Sequence, residues 1–303
     1  MEHVSVLLNE AVDGLNVKEN GVYVDATLGY GGHSENIHKR LKSGKLFAFD
    51  QDAEACDHCK KKFKDFDNVT IVQSNFVNIK KELESRGVTM VDGIIFDLGL
   101  SSVEIDNPDR GFSFMKDGEL DMRMDRTSPL SAKNVVNEYS YEKLIDIFYR
   151  YGEESFSKPI AKGIIQTRPI NRTMELVETI KKSVPQKYFN THHPERRIFQ
   201  AIRIEVNQEL KVLEEVLPDA IDLLKPTGRI SVITFHSLED RIVKQIFKKY
   251  SEVDDIVKGL PNIPDEYKPK IKLINKKPIL PSEDEMNRNT RSKSAKLRIA
   301  ERI

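Results

Sequence analysis

The chain has 303 residues, 39% hydrophobic and 32% charged, which is enough apolar material for a substantial core in one large domain or two. Lysine plus arginine and aspartate plus glutamate both total 48, so the whole molecule offers no basic field to a polyanion, and any nucleic-acid contact must be local. No stretch approaches the roughly eighteen uninterrupted apolar residues of a membrane span. The start, Met1-Glu2-His3-Val4-Ser5, lacks the basic and apolar regions of an export signal, so the expected compartment is the cytoplasm.

Gly21 to Ala26 reads as a short buried strand, followed by the glycine turn Gly29-Tyr30-Gly31-Gly32 and a polar helix from about His33 to Leu41. Lys45 to Asp50, Asn68 to Gln73 and Val91 to Asp97 repeat the strand pattern after helical segments, and four strands alternating with helices imply a parallel, doubly wound α/β sheet. The two cysteines, Cys56 and Cys59, lie one helical turn apart and read as reduced thiols, since a zinc site would need further ligands from elsewhere.

From about Ile105 to Pro194 no central strand is legible. Stripes at helical spacing, Leu144, Ile145 and Phe148, then Leu176, Val177, Ile180 and Val184, predict a helical insertion. A long helix follows, with Ile198, Ile202, Val206, Leu210, Leu213 and Leu217 near one face; Pro218 is expected to kink or restart it, and Lys225-Pro226-Thr227-Gly228 to stop it. The sheet then resumes from Arg229 to Phe235. After a helix to about Tyr250 and the proline-rich loop Leu260 to Pro264, Ile271 to Ile274 and Leu297 to Ala300 read as two strands that pair as an antiparallel edge. The expected division is therefore 1–105 and 195–303 as two parts of one α/β domain, with 106–194 inserted as a mostly helical domain. The last 34 residues carry ten cations against four acids, which suits either a solvated basic face or a nucleic-acid contact.

A glycine turn at a strand's carboxyl end lets backbone approach a nucleotide-like ligand, and Asp50, 21 residues after Gly29, ends the next strand where a carboxylate accepts ribose hydroxyls. A dinucleotide fingerprint would place a third glycine where Ser34 stands, which argues against NAD and for S-adenosylmethionine. Asp97 ends the fourth strand beside the switch point, where a donor methyl and an acceptor base meet.

Several ordered motifs carry a resemblance. They are Val6-Leu7-Leu8-Asn9-Glu10, Asp25-Ala26-Thr27-Leu28-Gly29-Tyr30-Gly31-Gly32-His33, Asp97-Leu98-Gly99-Leu100-Ser101-Ser102, Arg110-Gly111-Phe112-Ser113-Phe114 and Leu120-Asp121-Met122-Arg123-Met124-Asp125. Further along stand Phe199-Gln200-Ala201-Ile202-Arg203-Ile204-Glu205-Val206-Asn207, Phe235-His236-Ser237-Leu238-Glu239-Asp240-Arg241 and Arg291-Ser292-Lys293-Ser294-Ala295-Lys296-Leu297-Arg298. The chain resembles the MraW family of small-subunit ribosomal RNA methyltransferases along nearly its whole length. The resemblance implies a class I S-adenosylmethionine-dependent methyltransferase fold with an inserted helical domain forming one wall of an RNA cleft. It also implies methylation of the exocyclic N4 of a cytidine in the decoding region of 16S rRNA, with the small ribosomal subunit or an assembly intermediate as partner.

On the same resemblance, the cofactor contacts fall on Gly31, Gly32, His33, Asp50, Phe76 and Asp97, with Phe76 packing on the adenine beside Gln73-Ser74-Asn75. A further family contact position, usually glutamine, is Glu104 here; a glutamate accepts hydrogen bonds from the methionyl amino group but donates none to its carboxylate. The Asn/Asp-Pro-Pro-aromatic motif of many amino-methyltransferases is absent after the fourth strand, leaving Asp97 or nearby backbone carbonyls to accept from the amino group. Asp121, Arg123 and Asp125 suit either a structural salt-bridge knot between sheet and insertion or the acceptor cleft, His236 either substrate or a helix-capping or packing role, and Arg196 and Arg197 either phosphates or a solvated turn. No dedicated metal-ligand cluster is visible in the sequence.

Overall fold

The computed structural model describes residues 5–257, 259 and 261–303. The Met1-to-Val4 start and Leu260 of the proline-rich loop lie outside the described residues. In chain order the elements are α1 (Leu8–Gly14), β1 (Val22–Asp25), α2 (Gly32–His38), β2 (Lys45–Asp50), α3 (Ala53–Lys62), β3 (Val69–Gln73), α4 (Ile79–Glu84) and β4 (Val91–Asp97). A run of helices follows: α5 (Ser102–Asp106), α6 (Ala132–Glu138), α7 (Tyr141–Arg150), α8 (Ser157–Thr167), α9 (Thr173–Ser183), α10 (Gln186–His192) and α11 (Pro194–Asn207). The chain then gives α12 (Glu209–Asp222), β5 (Leu224–Thr234), α13 (Ser237–Ser251), β6 (Ile271–Leu273), α14 (Glu283–Arg288) and β7 (Lys296–Arg302).

Two compact units emerge, one of residues 1–99 with 210–303 and one of residues 100–209. In the first, seven strands lie in the order β3-β2-β1-β4-β5-β7-β6. The first five are parallel, while β7 runs antiparallel to both β5 and β6. The pairing expected between the last two strands is present, but β7 lies inside the sheet and β6 alone is the edge.

Alternation along the strands divides the core between the two faces of the sheet. Phe47, Phe49, Ile94 and Phe96 point to the face covered by Leu213, Leu217 and Ala220 of α12 and Val243 and Phe247 of α13. Leu46, Ile95 and Ile233 point to the other, against Ala11, Val12 and Leu15 around α1. Each such fully buried large side chain contributes about 1.5–3 kcal/mol.

The helical unit has its own core of Leu144, Ile147 and Phe148 from α7, Ile160 and Ile164 from α8, Leu176 and Ile180 from α9, and Ile198, Phe199 and Ile202 from α11. Because α11 buries its apolar stripe here, the unit extends past the 194 expected from the sequence to residue 209. The expected continuous helix breaks at Gln208, whose φ of 53° ends α11, and not at Pro218, which lies inside α12. β5 likewise begins at Leu224, five residues before Arg229: Leu224 pairs with Val91 across a register irregularity that absorbs Lys225 to Gly228. No helix among the described residues is long and apolar enough to cross a membrane.

Candidate active site

Three adjacent parallel strands each end an apolar run in aspartate: Asp25 on β1, Asp50 on β2 and Asp97 on β4. Register sets Asp25 beside Ala48 and Ile95, so the three carboxylates gather at one carboxyl edge of the sheet. A parallel sheet with helices on both faces offers its open crevice there.

Between β1 and α2 the chain turns through Gly29, with φ 50°, and Gly31, with φ 75°, a left-handed conformation that costs a residue bearing Cβ. A Cβ on Gly31 would stand 2.8 Å from the Phe63 ring, and one on Gly32 would collide with the Ser5 hydroxyl. At Gly29 it would meet nothing within 4 Å. Gly31 and Gly32 therefore seat the start of α2 against its neighbours, and the open side of the turn lies at Gly29. Behind the turn, the Cys59 thiol lies 3.4 Å from the Gly29 carbonyl and the Cys56 thiol 3.5 Å from the Asp50 carbonyl. Both cysteines are free and buried, and burial pushes both thiols up to about 12, which disfavours the reactive thiolate.

Asp50 accepts from Gly29 N at 2.8 Å and from Asp52 N at 2.9 Å, one bond to each carboxylate oxygen. Each oxygen keeps acceptor capacity for a ligand hydroxyl. Burial pushes its pKa up to about 6 against the pull of those two N–H groups. Asp25 is wholly buried; it accepts from the Ser34 hydroxyl at 2.7 Å and Thr27 N at 3.1 Å, and burial again raises it to about 6. Thr27 in turn accepts from Asp97 N at 2.6 Å, so Asp25 pins both the glycine turn and the tip of β4.

Asp97 has one carboxylate oxygen 3.4 Å from His33 Nδ1 and the other, Oδ1, sheltered from solvent with no hydrogen-bond partner among the described residues. Burial, then the charges of Asp25 and Glu239, hold it well above the ordinary carboxylate range. Among the described residues no lysine or arginine pairs with any of the three aspartates. Phe76 follows β3, partly buried and edge-on to Phe96 at 5.6 Å.

S-adenosylmethionine fits this chemistry: its sulfonium and amino group are cationic, its ribose carries two hydroxyls, and its adenine is flat and apolar. Strand-tip carboxylates without a paired lysine or arginine, free acceptor sites on Asp50 and the partly buried Phe76 ring suit each in turn. Six of the seven expected cofactor residues, Gly31, Gly32, His33, Asp50, Phe76 and Asp97, thus belong to the sheet unit.

Glu104 belongs to the helical unit. It is buried, accepts from Ser101 N at 2.8 Å and stands 3.7 Å from the buried Arg110 guanidinium. That cation gives a physical reason for a carboxylate at a position where an amide is usual. Arg123 makes two bonds to Asp121, at 2.6 and 3.1 Å, and Asp125 caps its own turn through Thr127. These pairs lie within the helical unit and do not tie the sheet to the insertion. His236 caps α13, accepting from Glu239 N at 3.4 Å, while the Glu239 carboxylate accepts from Phe235 N at 2.8 Å. In the basic tail, Lys296 and Arg298 pair with Asp240, Lys272 with Glu301, and Lys270 and Arg302 with Asp222. Much of its charge is therefore spent holding the sheet edge.

Sequence reasoning named Asp50 and Asp97 but passed over Asp25 as a site residue. The signal was present, since Val22-Tyr23-Val24-Asp25 ends in a carboxylate as the other two strands do.

This strand order, with an antiparallel β7 inside a parallel sheet and a glycine turn after β1 facing acidic strand ends, defines a class I S-adenosylmethionine-dependent methyltransferase. The MraW methylase family matches over residues 1–303, and the chain belongs to that family. Solved structures similar to it include a candidate rRNA-methylase from Clostridium thermocellum, 14% identical over 100% of both chains with a TM-score of 0.47. An rRNA methylase from Streptococcus thermophilus is 11% identical over 100% of this chain and 99% of that one, TM-score 0.46. A candidate methyltransferase from Streptococcus mutans, in complex with SAH, is 12% identical over 100% of both, TM-score 0.45.

Proposed function

We propose that this chain methylates the exocyclic N4 of a cytidine in the decoding region of 16S rRNA, presented by the small ribosomal subunit or an assembly intermediate in the bacterial cytoplasm. Family membership supports the reading, and the observation that carries it to chemistry is the sheltered, unpartnered Oδ1 of Asp97 at the tip of β4. Bound S-adenosylmethionine supplies an electrophilic methyl. The lone pair of a cytosine amino group is delocalised into its ring, so attack requires an acceptor that draws an N–H out of the ring plane. Asp97 is that acceptor: Oδ1 takes a hydrogen bond from the amino group as its nitrogen pyramidalises, the N–C bond forms as the methyl's bond to sulfur breaks and the neutral thioether leaves, and the surplus proton passes to Asp97 and on to water. His33, 3.4 Å from Oδ2, holds the carboxylate in place. Gly31, Gly32, His33, Asp50 and Phe76 position the cofactor, and the inserted helices, whose sequence-expected span is 106–194, recognise the RNA.

The test is transfer of labelled methyl from S-adenosylmethionine to small subunits from a strain lacking the gene, followed by nucleoside analysis. N4-methylated cytidine is the expected product. Label in another nucleoside overturns the acceptor, and absence of label despite tight cofactor binding overturns the catalytic reading.

A further inference from the structure

The helical unit carries a cationic corner of a different kind from the paired charges of the tail. Lys158 and Lys162 on α8, Lys182 on α9, Lys187 on α10 and Arg196 on α11 are all exposed. None has a carboxylate within 4.0 Å among the described residues. Arg197, one residue on, is 3.6 Å from the fully buried Glu154, which anchors its guanidinium and leaves it 38% exposed.

Three contacts gather these residues at one end of the unit. Phe156, which caps α8, lies 4.3 Å from the Tyr188 ring on α10. The Tyr188 hydroxyl donates to Glu154 at 2.7 Å, the same carboxylate that holds Arg197. A Cβ on Gly163 would collide with the Ser183 hydroxyl, so mid-α8 packs directly on the end of α9. On this corner the exposed His192 ring stacks on Tyr188, 4.4 Å between centroids and 9° between planes, leaving a flat aromatic face turned outward.

We propose that this corner, formed by the amino-terminal half of α8, the end of α9, α10 and the start of α11, is an RNA-docking surface: Lys158, Lys162, Lys182, Lys187, Arg196 and Arg197 take phosphates, and the His192–Tyr188 pair stacks an unpaired base. The inference rests on the proposed RNA substrate and adds a backbone contact outside the methyl-transfer site. Unpaired cations repay their solvation on a polyanion by releasing its counterions, which paired ones do not. A stacked aromatic pair whose outer face is open suits single-stranded nucleic acid rather than an acidic protein.

The test uses the full chain with Lys182→Glu, Lys187→Glu and Arg196→Glu combined, three exposed positions outside both cores. Binding to a labelled oligoribonucleotide is followed across a salt series, beside S-adenosylmethionine affinity and thermal unfolding. Loss of roughly two units of salt slope, at about 0.7–0.9 per phosphate contact, with cofactor affinity and melting unchanged, is the expected result. His192→Ala is expected to cost about tenfold in affinity for single-stranded RNA and little for duplex. Unchanged RNA affinity and slope in the triple variant overturn the proposal, as does a variant that loses only binding to phosphatidylserine vesicles. Methyl transfer by the unaltered protein is scored separately, so failure of the corner and failure of the enzymatic reading are distinguishable: an RNA-docking role raises KM for small subunits while the single-turnover rate at saturation holds.

Discussion

The acidic strand tips of the sheet unit and the interior of the helical unit treat carboxylates in opposite ways. In the sheet unit, Asp25, Asp50 and Asp97 sit at strand ends with N–H, O–H, imidazole and further carboxylate groups around them and no paired lysine or arginine among the described residues, and all three are pushed above the usual carboxylate range. In the helical unit, buried carboxylates have cations: Glu104 has Arg110, Asp121 has Arg123 and Glu154 has Arg197. An uncompensated buried carboxylate costs stability and holds back binding potential for a cationic ligand, whereas a compensated one only ties the chain together. The strand tips are therefore built to receive charge, whereas the interior of the helical unit, like Asp92 and Glu301 elsewhere in the sheet unit, cancels it.

That contrast is sharpest at Arg110. Arg110→Met strands Glu104 in a buried site and is expected to cost about 3–5 kcal/mol, read by chemical denaturation. Adding Glu104→Gln is expected to return most of the loss; a double variant no more stable than the single one breaks the account. On the other side, Asp97→Asn keeps shape but weakens the acceptor, and the single-turnover methyl-transfer rate is expected to fall on the order of a hundredfold. Full turnover with only cofactor affinity lost would make Asp97 a cofactor residue and nothing more.

Gly31→Ala places a Cβ at φ 75° and 2.8 Å from Phe63, with an expected cost of about 2 kcal/mol in thermal unfolding. Gly29→Ala, into open space, is expected to cost less stability and more cofactor affinity. The mildest effect is one of pH. Asp50 has its pKa raised to about 6, so its ribose-accepting form is complete above that value and is lost as pH falls through it. Cofactor affinity measured by calorimetry is expected to drop as pH falls below about 6, by up to tenfold per unit, and Asp50→Asn is expected to flatten the profile.

The sequence alone determined the strands, since a buried parallel strand needs an uninterrupted apolar run, and Lys45–Asp50 and Val91–Asp97 fall where those runs do. It also marked the glycine turn and two of the three strand-end aspartates, because left-handed backbone and a terminal carboxylate leave residue-level signatures. The end of the helical unit was beyond it. One apolar stripe runs through 198–217 without interruption, and only packing reveals that Ile198 to Val206 bury in one core and Leu213 to Ala220 in another, with the left-handed Gln208 between them. The partners of charge were equally hidden. Whether Arg298 meets an RNA phosphate or Asp240, or Glu104 a cofactor amine or Arg110, depends on side chains distant in sequence or turned by local geometry, and tertiary structure alone brings those atoms together.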